Sequence, residues 1–258
     1  MNSAGGRRAG GAARLERLVR GGFLLAGAAT VIPMHYMDRW ITFSCPCDAA
    51  GLNSLDRSTA GRSDATASKA SNVLGAAALA LPFAFDALDA RRGGGDWQRA
   101  FATDAVVLME AAAVNEGLNE VVKVAAGRPR PYLYGRTPGD PALTDPDSYT
   151  SFYSAHTSAA FAVGIAYART YALRHPDSPA RKYVYAAAVV AGGAVGALRV
   201  ATGKHFPTDV LAGAAAGTAV GLAIPALHAR DGAESRGGVE ASARPVPGSA
   251  LVAVRFAF

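Results

Sequence analysis

The stretch RVATGKHFPTD, residues 199–209, carries three residue types that can act on a phosphate group. His205 and Asp209 stand four residues apart, so a helix that begins after Phe206 can bring the carboxylate back toward the imidazole. The planar guanidinium of Arg199 suits phosphate oxygens. A histidine held by a carboxylate beside a bound phosphate predicts a nucleophile or a general base. Taken alone, the stretch has a second, equally good interpretation: a surface histidine without a chemical role, followed by a carboxylate at the start of a helix.

A second cluster, KVAAGRPRP at residues 123–131, gathers three cations within eight residues. Proline disfavours helix in the residue before it, so Arg128 and Arg130 are expected in extended backbone just after a helix that carries Lys123. We therefore expect the three cations to lie close together at an interface, where they could bind an anion. The alternative is that they only anchor the end of a membrane helix.

A third cluster, SFYSAHTS at residues 151–158, precedes an apolar segment. Ser154 and Thr157 are good N-cap candidates, and the free N–H groups at a helix start favour anions. His156 could donate a proton to a leaving oxygen when it is charged. A capping serine beside an uninvolved histidine is the alternative for this cluster alone.

The elements that must position these clusters are apolar segments, predicted as helices. Half of the residues are hydrophobic and 18% are charged, below the roughly 25% of soluble domains. Most segments hold enough small or apolar residues to span a bilayer, which predicts an all-α, transmembrane helical bundle of about six helices. A soluble bundle with unusually apolar helices is the alternative. The segments are residues 21–37, 71–90, 99–125, 154–173, 182–198 and 206–227.

Loop charge predicts the orientation of this bundle. With a cytoplasmic N-terminus, arginine-rich stretches at residues 7–20, 91–99, 174–182 and 230–255 all fall inside, as the positive-inside rule expects. The three clusters then share the outer side. Segment 21–37 follows a basic stretch and could instead be a cleaved signal peptide, but its unbroken apolar run favours a retained helix. We expect a multi-pass protein of a bacterial-type cytoplasmic membrane, with a periplasmic or secreted soluble protein as the alternative.

Composition argues against other kinds of site. The net charge of +6 is spread over short loops and forms no basic stripe, so nucleic-acid binding is not expected. Cys45 and Cys47 are too few for a structural zinc site, and two free thiols are favoured over a disulfide. No ligand set accompanies the clusters, so neither a metal nor another cofactor is expected. Cations, a helix start, two histidines and one carboxylate together suit phosphoryl transfer.

The three clusters resemble the motifs of the phosphatidic acid phosphatase type 2 superfamily, whose members include membrane lipid phosphatases, soluble bacterial acid phosphatases and vanadium haloperoxidases. Its pattern is Lys-x6-Arg-Pro, then Pro-Ser-Gly-His, then Ser-Arg-x5-His-x3-Asp. The resemblance covers roughly residues 95–228 and keeps the spacing of the first and third motifs. Three positions depart from it: Tyr153 and Ala155 replace proline and glycine in the second motif, and Leu198 replaces serine in the third.

The resemblance implies a role for each motif residue. His205 would attack phosphorus and become a phosphohistidine, Asp209 would orient it, and His156 would protonate the leaving alkoxide. Water would then hydrolyse the intermediate. The phosphoryl oxygens would be held by Lys123, Arg130, Ser154, the Ala155 amide and Arg199.

The leading hypothesis is therefore a metal-independent phosphatase acting on a lipid phosphate or diphosphate. We expect a basic segment at residues 1–20, a six-helix phosphatase domain at residues 21–228 with its core at 95–228, and a flexible tail at residues 229–258. Three alternatives keep the fold: a soluble secreted acid phosphatase, a vanadate-dependent haloperoxidase, and a non-catalytic lipid-binding membrane protein. The sequence does not name the lipid.

Overall fold

The chain forms a bundle of long helices, and irregular loops join them at the end that carries the three motif clusters. The computed structural model describes residues 45 and 47–236, the last seven of them as backbone only. That part is helical and contains no strand, which confirms the predicted all-α fold class. The helices are α1 (Ser54–Arg57), α2 (Ala65–Gly93), α3 (Trp97–Ala126), α4 (Ala155–Arg174), α5 (Arg181–Ala201) and α6 (Pro207–Arg236).

Five of the predicted segments correspond to α2 through α6, while segment 21–37 lies outside the described residues. The last helix runs nine residues beyond the predicted end at residue 227. Short 3-10 turns at Pro131–Leu133, Pro141–Leu143 and Pro146–Tyr149 shape the long loop between α3 and α4. The basic segment 1–20 and residues 237–258 of the tail are also outside the described part.

Local signals fix where the helices begin and end. The Asp64 carboxylate accepts from the first N–H groups of α2, and the Ser154 hydroxyl accepts from the Thr157 amide at the start of α4. Helix α3 ends at Gly127, whose φ of 51° is the left-handed conformation that glycine adopts readily. The chain therefore turns sharply there and carries Arg128 and Arg130 back over the end of the bundle.

Helix α4 is the centre of the bundle and packs against α2, α3, α5 and α6. One core cluster joins Leu108 and Ala111 of α3 to Ala162 and Ala166 of α4 and to Ile224 of α6. Removing these apolar side chains from solvent supplies much of the stability of the fold. The small alanines allow the helices to approach closely.

Three glycines let α6 lie directly on the backbone of α4. A Cβ at Gly213 would stand 2.8 Å from the Ser154 carbonyl oxygen, and one at Gly221 would stand 2.6 Å from that of Ala162. At Gly217 between them, a Cβ would stand 2.9 Å from the Ser158 carbonyl carbon. These separations are shorter than ordinary contacts of about 3.5–4.0 Å. The glycines therefore bring the start of α6, with its catalytic candidates, against the start of α4.

The outer faces of the bundle are apolar. Three helices, α2, α5 and α6 as far as Ala229, are long and apolar enough to cross a membrane by length and composition. Many of their large hydrophobic side chains are exposed, which is unusual for a soluble surface and suits lipid. They include Val73, Leu81, Phe85, Leu88, Val189, Val190, Leu211, Leu222 and Leu227.

At the end of the bundle opposite the clusters, one arginine binds three carboxylates. Arg174 forms ion pairs with Asp86, Asp89 and Asp104, and thereby ties the end of α4 to α2 and α3. Asp86 is fully buried, so its charge depends on this partner. The cluster stabilises the end that the charge pattern assigns to the inner side.

The prediction of two free thiols was wrong. Cys45 and Cys47 are joined by a disulfide that closes a ring across one intervening residue. Cysteines so close in sequence provide no framework between distant segments, which is why spacing alone did not indicate a bond. Both side chains contact a small core that Leu133 and Tyr149 form in the loop between α3 and α4.

Candidate active site

The residues predicted from the three motifs come together at one end of the bundle. Lys123 lies in the last turn of α3, and Arg130 follows in the loop. Ser154 caps α4 and precedes His156 in its first turn. Arg199 lies in the last turn of α5, while His205 and Asp209 flank the start of α6. The alternating direction of the helices therefore collects side chains that are more than 80 residues apart in sequence.

The imidazole of His205 is held in one tautomer. The side chain is 2% exposed, and its Nδ1 lies 2.7 Å from the Ser151 carbonyl oxygen. A carbonyl can only accept, so Nδ1 carries the proton and Nε2 presents a free lone pair. Among the described residues, Nε2 has no hydrogen-bond partner. This is the state that a nucleophilic histidine requires.

The environment of His205 keeps it neutral. Complete burial, together with the charges of Arg130 and Arg199, lowers the pKa of His205 well below its usual range. The hydrogen bond to Ser151 opposes this shift without cancelling it. The lone pair on Nε2 is therefore available at neutral pH.

Asp209 does not contact His205 in the way that the spacing predicts. Its Oδ2 lies 3.9 Å from His205 Nδ1, too far for a hydrogen bond. Instead Oδ2 accepts from the Ser151 hydroxyl at 2.5 Å and from the Phe206 amide at 2.8 Å. The carboxylate therefore holds the two residues that position the imidazole: Ser151, whose carbonyl binds Nδ1, and Phe206, which follows His205 directly.

A buried network around Asp209 was not predicted from sequence. Arg128 donates to Asp209 and, at 2.7 Å, to Asp56, which is fully buried. Asp56 also accepts from the amide and hydroxyl of Thr208. Thus Arg128, expected only near the other cations, binds two carboxylates rather than facing the site. Its partners are 72 and 81 residues away, and no local spacing indicates them.

The remaining cations surround His205. Arg130 is 5% exposed and is fixed by Asp147 and Thr150, and Arg199 is 3% exposed and donates to the Ser71 hydroxyl at 3.3 Å. The Nε of Arg199 is buried without a hydrogen-bond partner within the described chain. A buried guanidinium donor without a partner is costly unless a ligand accepts from it. The site therefore has an unused donor of the kind that phosphate oxygens satisfy.

Two further residues complete the charge balance of the site. Lys123 Nζ binds the carboxylate of Glu120 at 2.7 Å, so its charge is partly compensated in this state. Burial, followed by the charges of Arg199 and Arg130, lowers the pKa of Lys204. Lys204 is adjacent to His205 in sequence, but it belongs to no motif position and was not predicted.

The start of α4 supplies the other face of the site. The Ser154 amide donates to the Asp209 carbonyl, and its hydroxyl lies 2.9 Å from that of Thr157. No described residue other than glycine has a positive φ, so Ala155 fits this turn in ordinary backbone geometry. His156 is half-buried, and α2 approaches its ring at Gly75. Within residues 45 and 47–236, no group of three or more His, Cys, Asp or Glu could hold a metal ion.

The comparisons with known proteins address the family directly. The sequence model of the PAP2 superfamily matches residues 104–232, half of the chain. No curated protein matches. Among solved structures, a transmembrane PAP2-type phosphatidylglycerolphosphate phosphatase from Bacillus subtilis is 21% identical, with 84% of this chain and 96% of that chain covered and a TM-score of 0.42. The family match confirms the superfamily expected from the motifs: the chain belongs to the PAP2 superfamily.

Proposed function

We propose that this protein is a metal-independent phosphatase that hydrolyses the phosphate monoester or diphosphate of a membrane lipid through a phosphohistidine. The observation that carries the proposal is the state of His205. Its Nδ1 is fixed by the Ser151 carbonyl, its Nε2 is free, and Arg130 and Arg199 stand close enough to lower its pKa. A neutral histidine facing an anion site is equipped to attack phosphorus.

In the first step, His205 Nε2 forms a bond to phosphorus and the bond to the leaving oxygen breaks. Protonated His156 gives its proton to that oxygen, so the product leaves as a neutral alcohol or as a protonated phosphate. Burial and the nearby cations, Arg199 first, lower the pKa of His156 to about 4 without substrate, so its protonated form depends on the negative charge of the bound phosphoryl group, which offsets those cations. Arg130, Arg199 and the amides at the start of α4 neutralise the equatorial oxygens, where most of the catalysis arises.

In the second step, water attacks the phosphohistidine. His156, now neutral, accepts a proton from the water as the new oxygen–phosphorus bond forms. The bond between phosphorus and Nε2 breaks and returns its electron pair to His205. Inorganic phosphate leaves, and both histidines regain their starting protonation states.

The apolar faces of α2, α5 and α6 support a lipid substrate. A site at one end of such helices lies at the depth of lipid headgroups. The distribution of loop arginines favours the outer face of a bacterial-type cytoplasmic membrane for that end. Arg174 and Arg181 lie at the opposite end of the bundle, as this orientation requires.

The test is phosphate release from lipid phosphates by the purified protein in EDTA. We expect activity in the wild type, its loss in His205→Ala, and acid-labile labelling of the protein by a substrate carrying a radioactive phosphate. His228→Ala is the matched control, because this histidine binds Glu110 at the other end of the bundle. Full activity in His205→Ala would sink the mechanism, and dependence on an added metal would contradict the metal-independent assignment.

A further inference from the structure

A groove opens beside His156 that the mechanism above leaves unused. It has a volume of about 340 Å³ and lies between α2 and α3, against the start of α4. The α2 helix comes close to the imidazole there, since a Cβ at Gly75 would stand 3.4 Å from His156 Cδ2. Because His156 is the proposed donor to the leaving oxygen, this groove begins where the leaving group departs. Its wall includes Asn72, Ala76 and Leu79 of α2 and Glu116 of α3.

Glu116 is the acidic side chain of this groove. It is half-buried, and within the described chain its carboxylate forms no hydrogen bond and no ion pair. The neighbouring carboxylates of the site differ in this respect: Glu120 binds Lys123, while Asp56 and Asp209 bind Arg128. The charge of Lys123 acts on Glu116 from nearby, but no donor within the described chain reaches its oxygens, so they are available to a ligand that donates hydrogen bonds.

The negative charge of Glu116 is opposite in sign to the cations of the site. The cations surround His205, where the phosphoryl group must lie, whereas Glu116 faces the space beyond His156. We propose that Glu116 selects the leaving group: the groove accepts an alcohol that carries a free hydroxyl beside the departing oxygen and disfavours a leaving phosphate, whose charge would lie directly at the departing oxygen. The inference rests on the proposed phosphatase function and adds the substrate class to it.

The chemistry of the groove ranks three kinds of lipid phosphate. A polyol headgroup can donate a hydroxyl to Glu116 and can accept from the exposed amide of Asn72 at the rim. The leaving alcohol of phosphatidate carries no other free hydroxyl and leaves Glu116 without a donor. A lipid diphosphate would place an anionic leaving phosphate next to the carboxylate, and like charges in a partly buried site repel strongly. The preferred substrate is therefore a phosphate monoester on a polyol headgroup.

The experiment compares kcat/KM of the full-length enzyme, in detergent micelles, for phosphatidylglycerol phosphate, phosphatidate and a polyprenyl diphosphate. We expect the wild type to prefer the first over the last by at least about tenfold. Glu116→Gln should raise kcat/KM for the diphosphate by about tenfold and lower it for the polyol substrate. Glu110→Gln is the matched control, since this carboxylate lies on the same helix but binds His228, and it should change neither value.

Asn72→Asp provides a second test that leaves Glu116 in place. Asn72 is exposed at the rim of the groove, so the substitution adds a negative charge without disturbing the core. It should lower kcat/KM for the diphosphate further. Unchanged substrate ratios in both variants, with an active wild type, would overturn this inference and leave the phosphatase function standing. A wild type that releases phosphate from none of the lipids would overturn both.

Discussion

Gly217→Ala should reduce catalysis from a position far from the chemistry. The glycine lies on α6 where this helix crosses α4, and a Cβ there would stand 2.9 Å from the Ser158 carbonyl carbon and from Phe161 Cβ. Both neighbours belong to α4, the central helix, which cannot retreat because it packs against all the other long helices. Helix α6 must therefore move.

The size of the movement follows from the contact distances. The Ser158 carbonyl oxygen lies closer still to that Cβ, and ordinary carbon–carbon contacts are about 3.5–4.0 Å, so α6 has to shift by at least about 1 Å. We expect the overpacking to cost about 1–3 kcal/mol, partly offset by the roughly 1 kcal/mol that alanine gains over glycine in a helix. His205 and Asp209 move with the start of α6, and a misplacement of about 1 Å can lower kcat by about a hundredfold.

The assay measures kcat for lipid phosphate hydrolysis and thermal unfolding of the detergent-solubilised protein. Gly193→Ala on α5 is the matched control, because no atom lies within 4 Å of a Cβ at that position. This control should keep its activity and be at least as stable as the wild type. If Gly217→Ala unfolds at a lower temperature but retains wild-type kcat, the idea that the glycines set the position of His205 is refuted.

Three further predictions concern single side chains. Ser151→Ala removes the hydrogen bond to the Asp209 carboxylate, so it should cost about 1.5–3 kcal/mol of unfolding free energy and lower kcat about tenfold. Ser148→Ala is the control: it removes only a hydrogen bond to the neutral hydroxyl of Tyr132, so it should cost about 1 kcal/mol and leave kcat unchanged. Arg174→Met should cost about 3–5 kcal/mol in chemical unfolding while leaving KM unchanged, because Asp86 is left buried without its cation. His205 is neutral in the folded protein but takes up a proton in the unfolded one. As the pH is lowered from about 6.5, the unfolding free energy of the wild type should therefore decrease more steeply than that of His205→Asn, by up to about 1.4 kcal/mol per pH unit. Equal kcat losses in the two serine variants, a raised KM in Arg174→Met, or parallel pH profiles would contradict these expectations.

The fold was predictable because its signals are local. Apolar runs, a capping serine at residue 154 and a glycine at residue 127 define α3, α4 and α5 to within three residues, whereas α2 begins at Ala65, six residues before its predicted start. The end of α6 was placed too early, since residues 228–236 are polar and small yet continue the helix. Residues 21–37 remain a prediction, because they lie outside the described part of the chain.

The site was predictable only to the level of its motifs. The spacing of His205 and Asp209 indicated a direct contact between the two side chains. An aspartate at the third position of a helix can also accept from the backbone at the helix start. Here the Asp209 carboxylate accepts from the Phe206 amide and the Ser151 hydroxyl instead of contacting His205. The partners of Arg128 and the free carboxylate of Glu116 depend on contacts between distant segments. Such contacts have no local pattern, and their roles are accessible only once the helices are placed.

The contacts of Arg128 also limit which piece of this protein can be transplanted. The family match begins at residue 104, yet Asp56 neutralises Arg128, Ser71 holds Arg199, and the Arg62 carbonyl lies where a side chain at Gly203 would stand. All three come from the chain that precedes the match. A chimaera that grafts residues 104–232 onto another membrane anchor would carry every motif and still lack Asp56, one of the two carboxylates that bind Arg128. The segment that holds the motif residues in place is therefore longer than the region that the family model matches.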